Sequence, residues 1–192
     1  MLEIKHYAKE HNIPIMRDNT VIELIRCIDA VRPFKILEIG TAIGYSGIIM
    51  LENAKSALLT TIEIDEERAK IAKDNFIKWG LSERADIMVG DAEEIVPCLR
   101  VKYDFILLDG PKGSYFGMLP YLIELLNVGG MLFADNVLYM GLVKGDGEVG
   151  HKHRTIVGNM LRFLDAMMNN KELITEIIEI DDGIITGRKV ND

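Results

Sequence analysis

Short apolar runs rich in Ile, Leu and Val recur along this chain, and longer stretches of helical periodicity separate them. No other feature narrows the fold as far. The runs are KILEIG (35–40), LLTTIEI (58–64), RADIMVG (84–90), YDFILLDG (103–110) and GGMLFAD (129–135). Between them, residues 46–54, Asp65 to Trp79, 91–99 and 114–126 read as helices. Asp65 suits an N-cap and Gly80 a C-terminal stop. Residues 20–31 read as an earlier helix with a Thr20–Glu23 capping box, ended by Pro33. A long amphipathic helix over 153–169 follows a Gly-rich, charged loop at 139–152. ELITEIIEI (172–180) and GIITGRKV (183–190), joined by Asp181-Asp182-Gly183, read as an antiparallel hairpin. Strands alternating with helices form right-handed crossovers, so the expected fold is α/β: a mostly parallel sheet with an antiparallel C-terminal edge.

Composition bounds the rest. A length of 192 residues fits a single domain spanning 1–192, which buries roughly 70% of its extended surface. An apolar fraction of 48% excludes disorder, and two cysteines exclude a disulfide scaffold. Cys27 and Cys98 fall on helices and read as inert packing. No apolar run approaches the ~20 residues of a membrane span, and the N-terminus is too polar for a signal peptide. A reducing cytoplasm is the expected location. The 22 basic and 30 acidic residues leave a formal charge of −8, which argues against a protein that coats nucleic acid.

Ligands of such sheets bind beyond the carboxyl ends of the strands, so chemistry is sought there. After the first strand comes Glu38-Ile-Gly-Thr-Ala-Ile-Gly-Tyr-Ser-Gly, with glycines at 40, 44 and 47. The loop is a tight strand-to-helix turn or a close backbone approach to a ligand. Its G-x-x-x-G-x-x-G spacing is not that of a dinucleotide-binding dehydrogenase. Glu63, after the second strand, is a ribose clamp or a solvated acid beside a helix N-terminus. Asp91 and Ala92, after the third, border a flat base, or Asp91 caps the next helix. Asp109, Asp135 and Asn136 follow the fourth and fifth strands. Two carboxylates and an amide are hard oxygen donors that suit Mg²⁺, although Asp135-Asn136 could also cap a helix. Lys112 follows Asp109 after a proline turn, where a surface lysine is the plain reading.

The ordered set LEIGTAIGYS, IEID, GDA, LLDGPK and ADN resembles the small, cation-dependent O-methyltransferases that use S-adenosylmethionine (SAM). That family contains the catechol and caffeoyl-CoA O-methyltransferases, and the resemblance covers about residues 3–190. HYAKEHNIPIM and DNVLYMGLV are most similar to the bacterial branch that methylates 5-hydroxyuridine in tRNA. The resemblance implies a Rossmann-like class I methyltransferase fold, a seven-stranded sheet of order 3-2-1-4-5-7-6 and a homodimer. It implies cofactor contacts at Met16, Glu38, Gly40, Thr41, Gly44, Tyr45, Ser46, Glu63, Asp91, Ala92 and Asp109. Asp109, Asp135 and Asn136 match its metal ligands, and Asp109 and Lys112 its catalytic pair, with Lys112 the candidate base. By that resemblance the chain is expected to carry one N-terminal helix fewer than the larger relatives.

The implied reaction is Mg²⁺-dependent methyl transfer from SAM to a hydroxyl beside a second oxygen. The acceptor expected first is 5-hydroxyuridine in tRNA, giving 5-methoxyuridine, and second a small catechol-like compound. A non-catalytic SAM-binding protein is a further alternative. Lys5, Lys9, Arg17, Lys144, His151, Lys152, His153 and Arg154 could form a basic rim for phosphates flanking one flipped base. As a metal site the His151-Lys152-His153 triplet is disfavoured, because the hard oxygen set is already complete.

Overall fold

The computed structural model describes residues 1–139, 141–143, 150 and 153–191. Seven strands form one sheet: β1 (Lys35–Ile39), β2 (Leu58–Glu63), β3 (Ala85–Val89), β4 (Tyr103–Leu108), β5 (Leu126–Asp135), β6 (Leu173–Ile178) and β7 (Ile184–Lys189). Their order is β3-β2-β1-β4-β5-β7-β6. The first five are mutually parallel, while β7 runs antiparallel to both β5 and β6. This is the α/β methyltransferase sheet expected from the sequence.

The helices are α1 (Leu2–Glu10), α2 (Asp18–Val31), α3 (Tyr45–Asn53), α4 (Glu66–Lys78), α5 (Ala92–Ile95), α6 (Tyr115–Leu125) and α7 (Arg154–Met168). They cover both faces of the sheet. Ile36, Phe105, Leu107 and Phe133 pack on one side with Leu24, Ile28, Ile48 and Phe76. Leu37, Ile106, Leu108 and Ala134 pack on the other with Tyr115, Leu122, Met160 and Phe163. Successive residues of β1 and β4 thus enter opposite cores, which is why these strands read as unbroken apolar runs.

Local chemistry departs from expectation at four places. Thr20 and Glu23 form no capping box, because α2 starts two residues earlier. The Thr20 N–H and Oγ1 both donate to Asp181 Oδ2, at 3.1 and 3.0 Å, and Glu23 pairs with Arg26 at 2.9 Å. A carboxylate from the β6–β7 turn therefore does the capping. The helix expected over 91–99 is α5 followed by a 3₁₀ turn, Val96–Cys98, with Pro97 where an α-helix would continue. Cys27 is buried as expected, but Cys98 is exposed and is not a packing residue. Finally, residues 2–10, for which the sequence pattern suggested no element, are helical.

Candidate active site

The strand registers bring the predicted residues together. Ile39 pairs with Ile62 and with Leu108, Ile62 with Met88, and Leu108 with Ala134. One residue further along, Gly40, Glu63, Val89, Asp109 and Asp135 stand side by side across five strands. A cavity of about 840 Å³ opens above this row. Met16, Gly40, Thr41, Tyr45, Ser46, Glu63, Asp91, Ala92, Asp109, Lys112, Asp135 and Asn136 line it.

Gly40 lies where β1 and β4 converge. Its φ is +100°, and an added Cβ would stand 2.4 Å from the Asp109 carbonyl oxygen. Beyond it, Glu63 holds the loop. Its Oε2 accepts from the Ala42 N–H at 2.7 Å and its Oε1 from the Asp65 N–H at 3.0 Å. Glu63 faces the cavity too, and a carboxylate has further lone pairs for ribose hydroxyls. Asp91 caps α5, accepting from the Glu93 N–H at 2.9 Å, and it also lines the cavity. Met16 is buried in the core at 5% exposure and forms part of the cavity wall.

Two expected cofactor positions do not line the cavity. Gly44 is the N-cap of α3, packed toward Ala72 and Phe76. Glu38 is wholly buried beneath the loop. Ser46 Oγ donates to its Oε1, and Thr61 Oγ1 donates to its Oε2 at 2.6 Å. Thr61 Oγ1 also meets Thr41 Oγ1 at 2.6 Å. Burial pushes the Glu38 pKa up to about 7, against the lowering effect of the two hydroxyl donors.

At the other end, Asp135 is 2% exposed and its Oδ1 accepts from the Asn136 N–H at 2.7 Å. Burial, then repulsion from Asp109, push its pKa up to about 7, with Lys112 and that N–H opposing. Asn136 has a φ of +54°, and no helix begins there among the described residues, so helix capping does not explain the pair. Lys112 Nζ donates to Asp109 Oδ1 at 3.1 Å and to Tyr115 Oη at 2.7 Å. Burial works to lower its pKa, but Tyr115 and Asp109 outweigh this and hold it above the ordinary lysine value. In this arrangement Lys112 is a paired ammonium. Among the described residues no three His, Cys, Asp or Glu side chains gather into a metal-sized group. The candidate set instead combines two carboxylates with an amide.

Sequence reasoning missed Asp182, Tyr115 and Arg68. Asp182 and Arg68 line the cavity, and Asp182 adds to the upward push on Asp135. The Asp181-Asp182-Gly183 turn was legible, but only the antiparallel return of β7 beside β5 carries it to this end of the sheet. Of the expected basic rim, Arg17 lines the cavity. Lys5, Lys9 and Arg17 line an adjoining groove of about 390 Å³, where Lys5 pairs with Asp18. His153 Nδ1 meets Tyr139 Oη at 3.0 Å, and Arg154 begins α7. Lys144, His151 and Lys152 lie outside the described residues.

The O-methyltransferase family profile matches residues 3–190. Catechol O-methyltransferase of Sus scrofa is 37% identical over 118 residues, covering 57% of this chain and 63% of that protein. A Staphylococcus aureus structure described as a caffeoyl-CoA O-methyltransferase superposes with a TM-score of 0.89. It is 28% identical, over 97% of this chain and 90% of the other. The Bacillus cereus O-methyltransferase solved with S-adenosylhomocysteine (SAH) shares the fold, with a TM-score of 0.86 at 22% identity over 97% and 89% of the two chains. Fold and family together define a SAM-dependent O-methyltransferase. The chain belongs to the O-methyltransferase family, on the side of the catechol and caffeoyl-CoA enzymes. The match spans less than two thirds of the catechol O-methyltransferase. No helix among the described residues is long and apolar enough to cross a membrane.

Proposed function

We propose that this chain moves the methyl group of SAM onto a hydroxyl whose neighbouring carbon bears a second oxygen, using a divalent cation, and that its acceptor is 5-hydroxyuridine in tRNA. The observation that carries the reading is the meeting of Asp109, Asp135, Asn136 and Lys112 at adjacent strand ends, within the cavity that Gly40 and Glu63 also line. The donor set fits Mg²⁺: three hard oxygens, with the carboxylate of Asp135 buried beside another acid and short of positive charge. Asp109, Asp135 and Asn136 would hold the cation. When bound, it supplies Lewis-acid polarisation of the acceptor hydroxyl and one anchor for both acceptor oxygens.

The chain's own groups orient the partners. Glu63 holds the ribose and Asp91-Ala92 flank the adenine, while the 40–46 loop receives the methionine end. The acceptor oxygen forms its bond to the methyl carbon as the carbon–sulfur bond breaks, leaving SAH. Lys112 stands beside the reacting end to receive the acceptor's proton. For that the ammonium first releases one of its protons to solvent, against the pull of the ion pair with Asp109, and the free amine then takes the acceptor's proton. Holding both partners in line lowers the barrier by removing the search for geometry.

The basic groove of Lys5, Lys9 and Arg17 beside the cavity supports the tRNA acceptor. The names of the relatives favour a second reading, a small catechol-like acceptor. Incubation with SAM and hypomodified tRNA, followed by nucleoside mass spectrometry, separates them. Methoxyuridine is expected; its absence beside rapid catechol methylation would reverse the order. EDTA should abolish turnover and spare SAM binding, and full activity in EDTA would remove the cation from the reading. Asp109→Ala should lower kcat on the order of 10²-fold or more. A homodimer is part of this reading, and sedimentation velocity checks it.

A further inference from the structure

Tyr115 has no part in the reading above, yet it is fully buried and touches two of its components, Lys112 and Asp135. The hydroxyl has one proton, and it is committed: Oη donates to the Leu108 carbonyl at 2.9 Å. Toward Lys112 it can therefore only accept, and it does so at 2.7 Å. Leu108 ends β4, one residue before Asp109, and the Asp135 carbonyl is 3.5 Å from the same hydroxyl. The ring is held edge-on against Phe163, with centroids 5.3 Å apart. Tyr115 thus reads the position of both strand ends and passes it to the ammonium that pairs with Asp109.

We infer that Tyr115 is a positioning residue that fixes Lys112 over the reacting end of the cavity. The inference rests on the proposed function. In that reading Asp109 is shared with a cation, which weakens its hold on Lys112. A flexible four-carbon side chain then needs a second anchor, and the neutral hydroxyl, rooted in the backbone of β4, is one that a cation does not compete for. A misplacement of about 1 Å can cost on the order of 10²-fold in rate, so loss of this anchor should be visible in kcat.

The substitution is Tyr115→Phe, which keeps the ring that fills the core. Two readouts are taken. The first is the side-chain ammonium resonance of Lys112 in ¹⁵N-lysine-labelled protein with Mg²⁺ added and no acceptor, assigned by its loss in Lys112→Met. It should be visible in the wild-type protein and lost through fast exchange in Tyr115→Phe. The second is kinetics with whichever acceptor the wild-type protein methylates. There kcat should fall about 10-fold with the KM for SAM unchanged, and no further fall should appear when Tyr115→Phe is added to Lys112→Met. A resonance that persists in Tyr115→Phe, or an equal fall in both backgrounds, overturns the inference, since a purely structural tyrosine would act independently of Lys112. If Tyr115→Phe does not fold, Phe163→Leu loosens the ring while keeping the hydroxyl, and an unchanged resonance and kcat there overturn it equally. Failure of the wild-type protein to methylate any acceptor overturns the proposed function alone; the resonance still decides on Tyr115.

Discussion

Glu38 illustrates how a motif residue can belong to a site without reaching it. Its carboxylate is sealed under the 40–46 loop, with Ser46 and Thr61 as donors. Folding raises its pKa from the ordinary 4.5 to about 7. The folded chain therefore binds a proton that the unfolded chain releases between those values. This group costs nothing below pH 4.5, and its cost grows as pH rises to about 7, to a plateau of ~3 kcal/mol. Glu38→Gln removes the charge, and the Thr61 hydroxyl can turn to Thr41 to accommodate the new amide. The melting temperature of Glu38→Gln relative to wild type should therefore increase from pH 5 to pH 8. Asp135 titrates in the same window in both proteins and cancels in the difference. A gap that stays constant with pH would show Glu38 to be ionised throughout.

The β6–β7 hairpin and α2 depend on each other. No side chain near the start of α2 caps it, and the acceptor arrives from Asp181, 161 residues away from Thr20. Asp181 holds a left-handed φ of +52°, and the next residues are sewn to the segment after Asn136 by Leu138 N–H to Asp182 O and Val137 N–H to Gly183 O. Asp181→Ala should lose the cap and strain the turn, destabilising by about 2 kcal/mol. Asp181→Asn, which tolerates that φ and keeps an acceptor, should cost less. Urea denaturation compares them, and equal midpoints would assign the cap no weight. The Thr20–Glu23 spacing suggested a local cap because capping boxes are recognised from neighbours in sequence. A cap delivered across the fold leaves no such spacing. The central strands β1 and β4, by contrast, were legible to within two residues, because burial on both faces demands continuous apolar runs, whereas β5 starts at Leu126, three residues before the expected run.

For the molecule as a whole, the charge of −8 and the basic groove bear on the same acceptor. Many of the acids have local duties: Asp109 and Asp135 at the reacting end, Glu63 on the loop, Asp65 and Asp91 as helix caps. Among the described residues, Lys5, Lys9 and Arg17 of the proposed basic rim line one groove, with Lys5 shared by Asp18. Binding of tRNA should therefore weaken as salt rises, with a log–log slope of about −2, far shallower than that of a dedicated RNA-coating protein. Filter binding between 50 and 200 mM salt measures it, and a slope several times steeper would place the contact on a broader surface.

Local periodicity was enough to set most of the alternation of strands and helices, and the residues after each strand were enough to pick out the loop, Glu63 and the Asp109, Asp135 and Asn136 trio that line one cavity. These signals lie within a few residues of each other and need no knowledge of what packs where. Registers, partners and protonation were decided only on folding. The antiparallel return of β7 carries Asp182 into the cavity. The packing of α6 against β4 sets Tyr115 under Lys112, where the lysine is held between Tyr115 and Asp109. Each depends on contacts between segments distant in sequence, and on burial, which alone sets how strongly one charge is felt by another.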